Sequence, residues 1–325
     1  MKAMTGGVVC LVCAGERLKA VDERDGYTLL RCRSCGFGFA WPRPRAEELE
    51  VIYDEAFDEK SEGGIWSGEL TRENPKGKRS GMDTFRTEER EYRRRFDLIR
   101  RFVPAERGAL LDVGCAAGFF VDYVRRQGWR ADGLDVSGYN ARLAREYFDL
   151  DIIQKPFTKS GIPEESYDAV IMRFILEHSL DPFGDAAEAH RVLKPGGILF
   201  VHIPNEFNFL QTVATRLVVK ERWWFAVPHH LNFFTPRSLE KLLARAGLRL
   251  RHLTTTFPVE LFLLLGVNYV KNPERGKVVG KTVSFIDRLS EDYPFVESAV
   301  EKFYRRLLNR YGVGRTILAV AKKTR

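Results

Sequence analysis

The sequence lacks the long apolar runs of a membrane protein. A membrane-spanning helix needs about twenty consecutive apolar residues, and the longest apolar stretch, residues 259–267, is far shorter and contains a glutamate. Residues 6–14 are too short for a secretory signal and contain two cysteines. We therefore expect no membrane span and a cytoplasmic location.

Cysteine is also scarce, with five residues in 325, which excludes a disulfide-rich scaffold. Four of them form two Cys-x-x-Cys pairs, Cys10 with Cys13 and Cys32 with Cys35, separated by eighteen residues. Each pair offers two sulfurs from one tight turn, and a tetrahedral zinc ion needs two such pairs. Two disulfides are the alternative, which a reducing cytoplasm disfavours. We expect residues 1–45 to form a zinc ribbon in which the metal is structural, because so small a unit buries little apolar surface.

No long run of one charge sign is present, although the net charge is +8 and the pI is about 9.2. The basic excess favours an anionic partner, such as nucleic acid, an acidic lipid surface or a phosphorylated substrate. The densest basic run comprises residues 93–95 with Arg100 and Arg101, and such a run is typical of the solvated face of an amphipathic helix. Charge alone therefore identifies no partner.

The chain is long enough for one large domain and a small appendage. Residues 46–104 are predicted to be a helical linker and possible lid, with a polar, glycine-containing stretch at 59–83 that is either a mobile linker or a lid over the substrate. Residues 105–325 form the large domain. A helical insertion near 267–311 carries an apolar stripe at 296–308 that is typical of core or of a homodimer face.

A strand, a glycine turn and a helix follow one another at residues 110–120. Residues 110–113 are apolar, Gly114 to Gly118 form the turn, and apolar residues recur at helical spacing from Phe119. This is the arrangement of a cofactor loop at the carboxyl end of a parallel strand. A dinucleotide fingerprint needs three glycines, and Ala116 leaves that pattern unfilled, so nicotinamide and flavin cofactors are disfavoured.

An acidic residue follows the next predicted strand, residues 128–134. Asp135 lies about twenty residues after the glycine turn, where a carboxylate can accept both hydroxyls of an adenosine ribose. The combination suits an adenosine ligand without phosphates.

Five motifs in order resemble those of class I S-adenosylmethionine-dependent methyltransferases. They span about residues 96–247 and comprise Leu110–Gly118, Gly133–Ser137, Ser166–Val170, Leu176–His178 and Leu193–Gly197. The resemblance implies an α/β fold with a doubly wound, seven-stranded Rossmann-like sheet, and S-adenosylmethionine as cofactor. It also implies which residues bind the cofactor. The methionine half would lie against Asp112, Gly114, Cys115, Ala116 and Gly118. The ribose would bind to Asp135, and the adenine would lie near Phe157.

Two positions depart from the pattern of that family. Ala116 stands where glycine is usual, and residues 154–157 lack the usual acidic residue near the adenine. The stretch from Phe174 to Pro182 resembles the Glu-His-x-x-Asp-Pro signature of one bacterial subgroup.

Histidines are the candidate catalytic residues. Methyl transfer from a sulfonium is an in-line displacement that depends on holding the acceptor close and aligned in a dry pocket. A hydroxyl acceptor also benefits from a base, for which His178, His229 and His230 are candidates. The aromatic segment 207–236 is predicted to be either a lid packed on the sheet edge or, as we favour, a wall of the substrate pocket.

The sequence thus predicts methyl transfer to a small-molecule or glycan acceptor, at an oxygen, in cell-surface polysaccharide or secondary metabolism. The alternative is an rRNA methyltransferase whose ribbon contacts phosphates through Arg31, Arg33, Arg43 and Arg45. The metal site of that family includes a histidine, which this ribbon lacks nearby, so nucleic acid is the less favoured partner. A third interpretation is an interaction module with an inert methyltransferase domain, against which the intact motifs argue.

Overall fold

A computed structural model describes residues 7–49, 82–103, 106–292 and 312–324. Its strands are β1 Leu18–Arg24, β2 Tyr27–Cys32, β3 Gly38–Trp41, β4 Ala109–Val113, β5 Arg130–Leu134, β6 Tyr167–Arg173, β7 Leu193–Pro204, β8 Asn232–Phe233, β9 Leu248–Thr255 and β10 Thr316–Lys323. Its helices are α1 Met82–Arg100, α2 Phe119–Arg126, α3 Gly138–Phe148, α4 Pro182–Val192, α5 Phe209–Ala214, α6 Pro236–Arg245, α7 Glu260–Leu264 and α8 Pro273–Asp292.

The central sheet has the strand order β5-β4-β6-β7-β10-β9. The first four strands are parallel, and β10 is antiparallel to both of its neighbours. The predicted seventh strand is absent from the described part of the chain. Ile153 instead forms an isolated parallel bridge to Leu134 beyond β5, because only two apolar residues stand between Asp151 and Gln154, too few for a strand.

Helices cover both faces of this sheet, so the predicted doubly wound α/β architecture is confirmed. Alternate residues of each buried strand belong to different hydrophobic clusters. Leu111 and Met172 pack with α4 and α6 on one face, and Leu110 and Ile171 pack with α1, α2 and α3 on the other. The carboxyl ends of β4, β5, β6 and β7 therefore meet at one edge, where ligands bind in folds of this kind.

Capping residues mark the N-termini of two helices, α4 and α6. Thr235 and Ser238 form a reciprocal capping box at the start of α6, with Pro236 at the first helical position. Asp181 caps α4 by accepting a hydrogen bond from the Gly184 amide. Both helices therefore begin at capping residues that can be recognised in the sequence.

A second, antiparallel sheet has the order β1-β2-β3-β8. Its first three strands come from the N-terminal ribbon, but β8 comes from the segment between β7 and α6. Gly38 pairs with Phe233, and Phe39 with Asn232. The ribbon sheet therefore incorporates part of the large domain, and Phe37 packs on Phe234 with ring centroids 5.0 Å apart.

Several predicted features lie outside the described residues. These are most of the helix expected after residue 46, the 59–81 part of the linker or lid, and the apolar stripe at 296–308. Within the helical insertion, α8 is present as expected. Among the described helices, none is long and apolar enough to cross a membrane.

Candidate active site

The glycine turn closes tightly at the carboxyl end of β4. The amides of Gly114 and Cys115 both donate to the Leu134 carbonyl, at 2.7 and 3.0 Å, which joins the turn to β5. Gly114 has φ of +72°, and a Cβ added there would lie 2.0 Å from Ile175 Cδ1. Ala116 adopts φ of +49°, a left-handed conformation that explains why glycine is the usual residue at this position.

Asp135 lies against this turn, as the sequence predicts. Its carboxylate accepts hydrogen bonds from the Ala116 amide at 2.9 Å, the Ser137 amide at 3.0 Å and Asn140 Nδ2 at 3.3 Å. Burial raises its pKa, and these hydrogen bonds oppose the rise. Asp135 thus holds the turn in shape, and its acceptor capacity of about four lone pairs leaves room for a ribose hydroxyl.

Two of the predicted cofactor residues, Cys115 and Phe157, are buried and pack in the protein core. Cys115 is buried, its sulfur packs against Gly133, and its carbonyl accepts from the Gly118 amide at 3.0 Å. Phe157 is also buried, in the core cluster that contains Leu134. Phe157 presents no polar group to the turn, whereas the Cys115 thiol donates to the Ala116 carbonyl at 3.5 Å.

Arginines that sequence reasoning missed surround Asp112. Asp112 is buried at the end of β4, and burial raises its pKa to about 6 against the opposing effect of Arg95 and Arg173. Arg95 belongs to the basic run expected to face solvent, yet its guanidinium lies 4.6 Å from the Phe120 ring centroid. The available signal was its position three residues after Tyr92, on the face that α1 buries.

Glu177, His178 and His230 form a compact group at the exit of β6. One ligand-capable atom from each lies within 4.8 Å of the other two. Glu177 is 1% exposed, and neither of its carboxylate oxygens has a hydrogen-bond partner in the described structure. A buried carboxyl without a partner is a group that a ligand, an ion or an ordered water can complete. The same three donor atoms are close enough to hold a divalent cation.

The two histidines of this group are held neutral. Burial lowers the pKa of His178, and burial together with His178 and Arg315 lowers that of His230 to about 3. His178 Nδ1 lies 2.7 Å from the His229 carbonyl; since a carbonyl only accepts, Nδ1 carries the proton and Nε2 has the lone pair. The His229 ring is exposed and is not part of the group. Of the three predicted catalytic histidines, the structure brings together two.

Hydrogen bonds clamp the two segments that carry this group. The Glu177 carbonyl accepts from the amides of Leu231 and Asn232, at 2.8 and 2.9 Å. The Asn232 side chain donates to the carbonyls of Leu176 and Ser179, each at 2.7 Å. The group is therefore preorganised by backbone contacts.

The ribbon supplies a further clamp through Arg43. Its guanidinium donates to the Leu231 carbonyl at 2.9 Å, Asn232 Oδ1 at 3.1 Å and the Leu180 carbonyl at 3.0 Å, and it also donates to the Ser179 carbonyl. An N-terminal residue thus holds both segments of the site.

Beside this group lies a buried ionic cluster that the sequence did not reveal. Arg315 Nη1 is 3.4 Å from Glu260 Oε1 and 3.8 Å from Glu206 Oε2. Burial raises the pKa of Glu206 to about 6, opposed by Arg315. Because β10 is antiparallel to β7, its first residues meet the end of β7, so this cluster lies at the same sheet edge as the cofactor turn.

The aromatic side chains of segment 207–236 pack mainly against the ribbon. Phe225 and Phe233 are fully buried with rings 5.5 Å apart, and Trp224 contacts Phe207 at 4.9 Å. They share a hydrophobic cluster with Leu29 and Ala40 of the ribbon. The expected substrate wall is thus largely the interface with the ribbon sheet, a pairing that the sequence pattern did not indicate.

The four ribbon cysteines converge as predicted. Their sulfurs all lie within 4.8 Å of one another, with Cys10 to Cys35 at 3.5 Å and Cys13 to Cys32 at 3.6 Å. These separations are longer than the roughly 2.05 Å of a disulfide bond and close to the roughly 3.8 Å between sulfurs around a tetrahedral zinc with bonds of about 2.3 Å. The hydrogen bond to Cys35 lowers the pKa of Cys10 to about 5.

Comparison with known proteins adds independent information. A family model described as a methyltransferase domain matches residues 85–253. The ubiquinone biosynthesis O-methyltransferase of Dinoroseobacter shibae is 30% identical over 177 residues, covering 47% of this chain and 70% of that protein. The enzyme of the same name from Ruegeria pomeroyi is 31% identical over 147 residues, covering 43% of this chain and 59% of that protein.

Among solved structures, that of the cyclase SpnF is similar, with a TM-score of 0.50 and 20% identity over 87% of this chain and 98% of that one. At this identity the likeness shows the fold alone.

Proposed function

The chain belongs to the class I S-adenosylmethionine-dependent methyltransferases, and from that premise we propose that it methylates an oxygen of a small-molecule acceptor. The narrower proposal is an acceptor from glycan or secondary metabolism. Its relatives named as O-methyltransferases support oxygen as the acceptor atom.

The cofactor side is assigned to the turn after β4. When bound, S-adenosylmethionine supplies a methyl group on a sulfonium for in-line displacement. The observed turn fits it, since the cradle at Gly114 has no room for a Cβ and Asp135 keeps acceptor capacity at the turn. We assign Asp135 to the ribose, and Asp112 with the backbone of Gly114 to Gly118 to the methionine half.

The acceptor side is assigned to Glu177, His178 and His230. The observation that carries this assignment is the fully buried Glu177 carboxyl, whose oxygens have no partner among the described residues. An acceptor hydroxyl would donate to Glu177, and His178 would take up its proton as the oxygen attacks, since a pKa of about 3 makes His230 too weak a base for that step. The backbone clamp holds these groups in place, which favours an aligned attack.

We further propose that the four-cysteine ribbon binds one zinc ion with a structural role. The close approach of the four sulfurs supports it. The metal would stabilise the strands that position β8, since β3 pairs with that strand.

A labelled-methyl assay tests this function. The enzyme and labelled S-adenosylmethionine are incubated with a cell extract, which is then fractionated into small metabolites, lipid with polysaccharide, and RNA. Asp135→Ala is the blank. Label that resists alkaline hydrolysis in the metabolite or glycan fraction is the expected result, because methyl ethers survive base whereas methyl esters do not.

Two histidines provide a contrasting pair of variants. His178→Gln should reduce turnover by about 10²-fold or more, within the range of a lost proton-transfer group, and should leave cofactor affinity unchanged. His229→Gln, whose ring is exposed, should stay within about twofold of wild type. Label confined to RNA would instead support the rRNA alternative.

A further inference from the structure

An open pocket of about 500 Å³ lies between the ribbon and the start of α6. Four of its lining residues are basic, namely Lys19, Arg31, Arg33 and Arg237, and no acidic residue lines it among the residues described. It is separate from the cofactor turn and from Glu177, His178 and His230, and the methyl-transfer proposal makes no use of it.

Among the residues described, the cations of this pocket have no carboxylate counterion. None of the four forms an ion pair with a carboxylate in the described ranges of the chain. Arg31 is half-buried, with its guanidinium 4.2 Å from the Phe207 ring centroid and its Nε 3.4 Å from the Gly36 carbonyl. A partly buried cation without a carboxylate is stabilised when an anion binds beside it.

The four basic residues could instead balance the negative charge of metal-bound thiolates in the ribbon, but the contacts of these residues do not support that role. A zinc ion with four thiolates carries a net charge of −2, and Cys32 and Cys35 border the pocket. However, the hydrogen bonds to the Cys32 sulfur in the described structure come from Cys13 and the Ser34 amide. The side chains of Lys19, Arg33 and Arg237 are exposed, and among the described residues none of them donates a hydrogen bond to a ribbon sulfur.

The chemistry of the pocket favours a phosphate ligand over a carboxylate. Guanidinium groups bind phosphate oxygens in bidentate pairs, and four cations match a diphosphate better than a single negative charge. The start of α6 at Pro236 adds the positive end of a helix dipole beside Thr235 and Arg237. The volume is that of a small-ligand site, whereas RNA requires an extended basic track.

We propose that this pocket binds the phosphate or diphosphate group of a small acceptor molecule. Phe207 connects it to the sheet edge, because Arg31 covers the Phe207 ring and the preceding Glu206 lies in the buried ionic cluster. An acceptor anchored here would extend past Phe207 towards the methyl-transfer site. The identity of the ligand as an acceptor rests on the proposed function, but anion binding does not.

Calorimetric titration of the zinc-loaded full chain with inorganic pyrophosphate tests the proposal. The double variant Arg33→Glu with Arg237→Glu should bind pyrophosphate at least about tenfold more weakly than wild type, because two charge-assisted contacts are lost. Arg33→Gln with Arg237→Gln should show a smaller loss in the same direction. The matched control is Arg249→Glu with Arg251→Glu, two exposed arginines of β9 outside the pocket, and it should stay within about twofold of wild type.

Several results would overturn the proposal. These are undetectable pyrophosphate binding, equal loss in the β9 control, or loss of zinc from the Arg33 and Arg237 variants, which would assign the cations to the metal. Binding of a short single-stranded RNA that displaces pyrophosphate with much higher affinity would make the site a nucleic-acid contact instead. Asp135→Ala should still bind pyrophosphate, so failure of methyl transfer and failure of this pocket are distinguishable.

Discussion

Arg43 tests whether the ribbon organises the active site. It donates to the carbonyls of Ser179, Leu180 and Leu231 and to Asn232 Oδ1, and so joins the segments that carry Glu177 and His230. Arg43→Gln removes the charge and most of these donors. Two residues further on, Arg45 is exposed and pairs only with Glu48 within its own turn, among the residues described, which makes Arg45→Gln a matched control.

The expected cost of Arg43→Gln follows from those contacts. A hydrogen bond from a charged donor contributes about 1.5–3 kcal/mol, and a buried carbonyl left without a partner adds to the loss. Glutamine retains at most two donors, so two or three bonds are lost, and the free energy of unfolding should fall by about 3–5 kcal/mol. Arg45→Gln should cost less than about 0.5 kcal/mol, since exposed ion pairs contribute little.

We expect the same contrast in turnover, with Arg43→Gln impaired and Arg45→Gln close to wild type. Displacement of the clamped segments by about 1 Å would lower turnover by about 10²-fold. The affinity for S-adenosylmethionine should stay within about twofold, because the turn after β4 has its own hydrogen bonds to β5 and Asp135. Denaturant unfolding, calorimetry with the cofactor and labelled-methyl turnover measure the three quantities. Equal costs for the two variants, or a parallel loss of cofactor affinity, would refute the coupling of ribbon and acceptor site.

Other predictions address the cofactor turn, its buried acid and the metal. Gly114→Ala should weaken cofactor binding at least about tenfold by calorimetry, because its Cβ would meet Ile175 at 2.0 Å, while Ala116→Gly, which relieves a φ of +49°, should stabilise the protein by about 1 kcal/mol. A stabilising Gly114→Ala would contradict this geometry. Burial raises the pKa of Asp112 from 3.8 to about 6, so between these values the folded state holds a proton that the unfolded state lacks. Without cofactor, the free energy of unfolding should therefore fall as pH rises through this window, by up to about 3 kcal/mol, and Asp112→Asn should flatten the profile. Elemental analysis should find one zinc at the four-cysteine site, and Cys13→Ser should lower both zinc retention and turnover; full turnover of a chain stripped of this metal would refute the structural role.

Local signals in the sequence were sufficient to predict the cofactor turn and the strands beside it. The glycines of the turn, the buried run of β4 and Asp135 after β5 each depend on residues close in sequence, and the structure places them together as predicted. The convergence of the four cysteines could also be predicted, because each Cys-x-x-Cys turn presents two sulfurs on one side. Here local conformation and chemistry agree, so short motifs are reliable.

Contacts between residues that are far apart in the sequence could not be predicted from such motifs. Nothing near Arg43 indicates that it contacts residues 136 and 188 positions later in the chain, nor that β3 extends its sheet with β8. The ionic cluster of Glu206, Glu260 and Arg315 likewise joins three distant segments. Each member alone resembles a surface charge, and only the topology shows that it is buried.

The position of β8 shows how the N-terminal ribbon is joined to the methyltransferase fold. A strand of two residues has little stability by itself, yet β8 lies between the segment carrying His230 and the start of α6. Pairing with β3 and contact with Arg43 hold it from one side, and Asn232 ties it to the exit of β6 from the other. Since Glu177, His178 and His230 lie on these two segments, the contacts with the ribbon restrain all three side chains. The ribbon is therefore part of the scaffold of the proposed acceptor site.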